Sequence, residues 1–101
     1  MTDLPMLTSQ ERSTADIAAE CDAIKAMLLK KNVDYGDSAL DPVRVFSRAS
    51  SIEQILVRLD DKLSRIKRGS AGGEDVIADL LGYLVLLRIA QRRQDAEGRN
   101  S

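Results

Sequence analysis

Residues 76–90 are apolar on nearly every side: Val76, Ile77, Leu80, Leu81, Leu84, Val85, Leu86, Leu87 and Ile89 leave no continuous polar face. A helix of that kind has to be covered all round. Two partner helices from a chain of 101 residues cover only part of it. A homo-oligomer, dimer or higher, with this third helix at or near the interface is therefore expected. A single domain of this size gains stability from association in any case.

The rest of the chain supplies the partners. Thr8-Ser9-Gln10-Glu11 reads as a capping box, with Thr8 as cap and Glu11 reaching back. From there to about Lys31, Ile17, Cys21, Ile24 and Leu28 recur at helical spacing, with Asp16, Glu20, Asp22 and Lys25 opposite. Asn32 is placed to close that helix, since Asn tolerates the left-handed conformation just past a helix end. Ser50-Ser51-Ile52-Glu53 repeats the opening pattern and starts a second helix, with Ile52, Ile55, Leu56, Leu59, Leu63 and Ile66 on one face. Lys67, Arg68 and Gly69 mark its end, and residues 70–73 read as a flexible link. Glu74 and Asp75 open the third helix, where the positive end of the dipole favours acids. Long strand-like alternation and internal repeats are missing. The expected class is all-α: a small antiparallel bundle of three main helices with a long ordered loop between the first two. It forms one domain over 8–92, with tails at 1–7 and 93–101.

Composition removes several function classes. Lys+Arg 15 against Asp+Glu 16 leaves a net charge of −1, so there is no global basic field for DNA. Two Tyr and one Phe are few for stacking on single strands. Without any His, a Ser-His-Asp triad, an imidazole base and a His metal ligand are all excluded. The single Cys21 rules out an internal disulfide and a Cys-based zinc site, and its place in the apolar stripe reads as a small buried hydrophobe. The first residues lack a basic region followed by an apolar one, and no run approaches the about 18 apolar residues of a membrane span. A cytoplasmic protein with no membrane partner is expected.

Residues 31–42 carry Lys31, Asn32, Asp34, Tyr35, Gly36, Asp37, Asp41 and Pro42. With their continuation to Ser50 they are about twice as long as a connector between bundled helices, which needs about 2–8 residues. Tyr35 can stack on a base or sugar, Gly36 permits close backbone approach, and free amides can meet phosphate oxygens. The alternative is a plain turn in which Tyr35 packs on the bundle and the aspartates cap the chain. Val43, Val45 and Phe46 read as a short core-anchored segment, with Arg44 and Arg48 pointing away.

Asp79 stands alone in the apolar helix, where an unpaired buried carboxylate is costly. Asp75 lies four residues earlier with Glu74 beside it, a spacing able to share a divalent cation such as Mg2+. Equally, Asp79 can pair with an Arg or Lys of the second helix while Glu74 and Asp75 only cap. Arg58, Asp61, Lys62 and Arg65 fall at i, i+3, i+4 and i+7, a polar stripe able to face Asp75 and Asp79. Its cations suit phosphate and Asp61 suits the metal. The same spacing also describes ordinary ion pairs on a solvated helix face.

Three ordered motifs, Lys31-Asn32-x-Asp34-Tyr35-Gly36, Asp61-Lys62-Leu63-x-Arg65-Ile66 and Glu74-Asp75-x-x-x-Asp79-Leu80-x-Gly82-Tyr83, span roughly residues 20–90. Together they resemble the first family of phage nucleotide-modification-associated domains. That family is in turn similar to the MazG-like all-α nucleoside triphosphate pyrophosphatases, dimeric or tetrameric proteins whose Glu and Asp residues hold Mg2+ between facing helices. The resemblance implies a phage-type protein of the host cytoplasm that binds a nucleotide or nucleotide-derived small molecule. It implies Asp61, Glu74, Asp75 and Asp79 as metal ligands, with Asp61, Asp75 and Asp79 carrying catalysis. Lys31, Lys62 and Arg65 become phosphate contacts and Asn32 and Tyr35 base or sugar contacts. Asp34, Gly36, Asp37 and Arg44 complete the nucleotide-binding set. The pyrophosphatases carry E-x-x-E on one helix and E-x-x-D on the next. This chain has only Asp16 and Glu20 on the first helix and an E-D-x-x-x-D spacing on the third, a thinner metal site. Beside an Mg2+-dependent pyrophosphohydrolase, two readings therefore stay open. One is a non-catalytic binder that sequesters a nucleotide signal of host anti-phage immunity. The other is a helical protein–protein adaptor.

Overall fold

Each helix begins at a side-chain oxygen that accepts an otherwise unpaired backbone N–H. Thr8 Oγ1 accepts from Glu11 N–H at 3.1 Å, Ser50 Oγ from Glu53 N–H at 3.1 Å, and Asp75 Oδ1 from Ala78 N–H at 3.0 Å. These caps launch α1 (Ser9–Asp34), α2 (Ser51–Arg68) and α3 (Val76–Arg99) in a computed structural model that describes residues 6–69 and 75–99. The class is all-α, with no strand among the described residues. Losing the Ser50 cap should cost about 1 kcal/mol. Ser50→Ala is thus expected to lower the urea midpoint of unfolding without changing its slope. Thr8→Ala, at an end of α1 with no buried neighbour, should move it less.

α1 does not stop at Asn32. It continues through Asp34, and the chain turns at Gly36 and Asp37, whose φ values are 61° and 62°. Asp37 N–H donates to the Asn32 carbonyl (3.1 Å) and Gly36 N–H to the Val33 carbonyl (3.4 Å), the paired closure of a Schellman motif. Gly accepts a positive φ without a Cβ penalty, and Asp is one of the few other residues that visits this region. Lys31, Asn32 and Asp34 are therefore helical residues rather than loop residues.

Residues 35–50 connect α1 to α2. Their contact with the core is Leu40, which packs with Ile52, Leu80, Tyr83, Leu86 and Leu87 around buried Ile55, Leu59 and Ala90. The expectation for Val43, Val45 and Phe46 is overturned: all three are exposed, Phe46 at 98%. Leu40 has already taken the core position, and the segment beyond it lies outside, where Arg44 Nε (3.2 Å) and Gln54 Nε2 (3.0 Å) both donate to the Ala49 carbonyl.

α3 is the middle element. α2 packs along it, and α1 approaches α3 but not α2. Leu28 of α1 meets Gly82 of α3 so closely that a Cβ on Gly82 would sit 2.9 Å from Leu28 Cδ2 and 3.1 Å from Met27 Cε. Along α1 only Ile24 is buried, and every residue from 9 to 23 is exposed. Cys21 is therefore an exposed thiol, not a buried hydrophobe, because α3 covers only the C-terminal half of α1. α3 itself is left uncovered at Ile77, Leu81, Leu84 and Val85. It also runs on to Arg99, so residues 93–99 of the polar tail are helical. Among the described residues, no helix is long and apolar enough to cross a membrane.

Candidate functional site

The three helices converge on Asp79. Lys31 Nζ at the end of α1 donates to Asp79 Oδ1 at 2.7 Å, and Lys62 Nζ of α2 lies 3.4 Å from Asp79 Oδ2. The side chains of Asp79 and Lys62 are each 12% exposed, whereas that of Lys31 is 46% exposed. Partial burial pushes the Asp79 carboxyl up. The Lys31 hydrogen bond and the charges of Lys31 and Lys62 outweigh that push and hold it below the usual aspartate range. The same hydrogen bond to Asp79 raises the Lys31 ammonium above its ordinary value, against a smaller opposing effect of burial. A carboxylate in an apolar helix thus stays ionised because two cations arrive from other elements.

Asp79 lies in the wall of a cavity of ≈ 340 Å3. α1 contributes Lys31 and Asn32, with Tyr35 just past its end, and the loop contributes Ser38 and Ala39. α2 contributes Arg58 and Lys62, and α3 contributes Asp79, Gly82 and Tyr83, with Met27, Leu28 and Leu86 as the apolar part. Tyr35 and Asp79, far apart in sequence, share this cavity. Its lining holds three cations, Lys31, Arg58 and Lys62, against one carboxylate. Ser38 and Tyr83 were not singled out as ligand contacts by their sequence, whereas Arg58 stood among the cations of the α2 stripe. Tyr83 carried a usable signal, since it follows Asp79 by four residues and so shares its face. Ser38 carried none.

The remaining sequence candidates lie elsewhere. Asp34 takes a hydrogen bond from Lys30 at 2.9 Å on the exposed side of α1, which raises that lysine's pKa. Gly36 makes the turn, and Asp37 faces a different groove. Arg44 holds the Ala49 carbonyl. Asp61 pairs with Arg65 one turn along α2 at 3.2 Å, with both side chains partly exposed. Asp75 is spent as the α3 cap, and Glu74 lies outside the described residues. Among the described residues, no three His, Cys, Asp or Glu side chains are gathered to hold a metal ion. With each Asp79 oxygen facing an ammonium group, the carboxylates among the described residues do not fit Mg2+ as placed. Compared with known proteins, the chain matches no protein-family model, no curated protein and no solved structure.

Proposed function

We propose that this chain binds a nucleotide or nucleotide-derived phosphate ligand in the Asp79 cavity and holds it without hydrolysing it. One observation carries the reading: Lys31, Lys62 and Arg58 line one small cavity in whose wall, among the described residues, Asp79 is the carboxylate. Asp79 acts as a resident counter-ion that keeps two ammonium groups in place. An incoming phosphate, with more oxygens and more charge, takes over those ammonium groups and adds the Arg58 guanidinium. Tyr35 and Tyr83 offer aromatic faces for a base or ribose. The volume, ≈ 340 Å3, falls within the about 300–1,000 Å3 of small-molecule sites.

The same geometry supports a binder rather than a hydrolase. A carboxylate with a lowered pKa, engaged by two lysines, is a poor base for water. Asp61 and Asp75 are committed to Arg65 and to the α3 N-terminus. The resemblance to the phage nucleotide-modification-associated family favours nucleotides over other phosphates. It would make the protein a phage binder that withholds a nucleotide signal from host immunity.

The test is calorimetric titration with a panel of nucleoside mono-, di- and triphosphates and cyclic dinucleotides, followed by heat denaturation and chromatography of the released ligand. Binding with unaltered ligand returned is expected. Lys62→Met should weaken binding about 10–100-fold, the worth of one hydrogen bond to a charged group. Return of cleaved products would favour the pyrophosphohydrolase instead. Failure of every nucleotide to bind would favour the adaptor.

A further inference from the structure

The three helices around Asp79 are held unequally. α2 and α3 share the core of Ile55, Leu59 and Ala90. α1 buries Ile24 and half-buries Met27 and Leu28, the last two against Gly82 of α3, while residues 9–23 are exposed throughout. Among the described residues, α1 makes no contact with α2. The Lys31–Asp79 pair ties its last turns to α3, but with the Lys31 side chain 46% exposed such a pair contributes little. An element with few buried apolar contacts opens at lower free energy than the core. α1 is therefore the wall of the site that separates first.

That same wall carries part of the charge. The cations of the cavity are divided between helices, with Lys31 on α1 and Arg58 and Lys62 on α2. Asp79 stands between them, with Lys31 Nζ 2.7 Å from one carboxylate oxygen and Lys62 Nζ 3.4 Å from the other. A phosphate offers both ammonium groups its own oxygens and draws in the Arg58 guanidinium as well. The anion then stands between α1 and α2, two helices that do not otherwise touch among the described residues.

We infer that an anion bound in this cavity seats α1, bridging Lys31 to Arg58 and Lys62 so that occupancy of the site and docking of residues 24–35 rise and fall together. This rests on the phosphate-binding reading above and adds to it how the site is regulated. Coupling of this kind is reciprocal: whatever the anion gains from a seated α1, α1 gains in seating from the anion. Anything that draws the last turns of α1 off α3 thereby releases the ligand.

The test is hydrogen exchange of the full chain read by mass spectrometry, with inorganic pyrophosphate as the probe and calorimetry supplying its Kd. Without the probe, amides of residues 24–35 should exchange faster than those of residues 52–66 and 80–90, which open with the core. An opening that expels the anion is opposed by a factor of 1 + [L]/Kd, so pyrophosphate at about 100 times Kd should slow residues 24–35 about 100-fold. Lys31→Met keeps Arg58 and Lys62 but lacks the α1 end of the bridge. It should bind more weakly and lose most of the slowing at the same multiple of its own Kd, whereas Lys31→Arg should keep it. Unchanged exchange at 52–66 in the unliganded variants shows that they fold.

Binding heat without slowing of residues 24–35 would overturn the coupling while leaving the phosphate reading in place. So would residues 24–35 that exchange as slowly as the core before any probe is added, or full slowing retained in Lys31→Met. Absence of pyrophosphate binding would overturn the phosphate reading and the coupling together.

Discussion

Asp79→Ala should lower the unfolding free energy by about 2–3 kcal/mol and the melting temperature by about 10–20 °C. The figure sits below the full cost of breaking a buried pair because Lys31 is half-exposed and screened by water. Removing the carboxylate takes away the ion-pair partner that Lys31 and Lys62 share, and Lys62 is largely buried. The effect also has a definite pH window. The Asp79 carboxyl is held below its ordinary value, so its share of stability is complete above about pH 4 and is lost as pH falls through the lowered folded-state value. Lys31 is held above its ordinary value, so its share is complete below about pH 10.4 and is lost as pH rises through the raised value. Thermal unfolding of wild type and variant should therefore differ by a constant amount between those limits, with the gap closing outside them. A gap that widened in acid would contradict the ion-pair account.

Asp79→Asn carries a second, opposite expectation for binding. A resident counter-ion competes with phosphate, so its removal should destabilise the free protein yet leave phosphate binding intact or tighter. A hydrolase that needed this carboxylate for its metal would instead lose its function. Calorimetry on the one variant separates the two.

Gly82→Leu is the other substitution with a large expected effect. Gly82 lets Leu28 and Met27 of α1 lie against α3, and α1 has no other helix of its own chain to rest on. A single Cβ meets only the tips of two flexible side chains, and Ala gains about 0.8–1 kcal/mol of helix propensity over Gly. Gly82→Ala should thus be nearly neutral in stability. A leucine cannot be accommodated so cheaply, and overpacking of this kind costs about 1–3 kcal/mol. The loss should be local: α1 swings off, helical circular dichroism falls, and α2 on α3 stays paired. Because Lys31, Asn32 and Tyr35 reach the cavity from α1, ligand binding should fail along with it. Retained binding in Gly82→Leu would show that α1 does not build the site.

What could be read from residues alone follows the range of the interactions. Thr8 and Ser50 were legible as caps because a cap is closed by a backbone N–H three residues away. The end of α1 was not, since Asn32 and Gly36 are both competent terminators locally and the choice is made by hydrogen bonds across the whole turn. Cys21 fits an apolar stripe in the sequence, yet stays exposed because the contact between α1 and α3 covers only the C-terminal half of α1. Val43 and Phe46 look like core residues until Leu40 fills the place ahead of them. Asp79 pairs with a lysine of α2, which its spacing allows, but also with a lysine from the far end of α1, which no spacing shows. Carboxylate spacing suggested a shared cation. It could not reveal that Asp75 is engaged by the first turn of its own helix.

Both tyrosines of the chain, Tyr35 and Tyr83, stand in the wall of the Asp79 cavity, and the sequence contains no tryptophan. The near-ultraviolet absorption and emission of the whole protein therefore originate almost entirely at one place. Occupancy of that place can be followed by intrinsic tyrosine fluorescence in unlabelled protein, with Tyr35→Phe and Tyr83→Phe dividing the signal between its two walls.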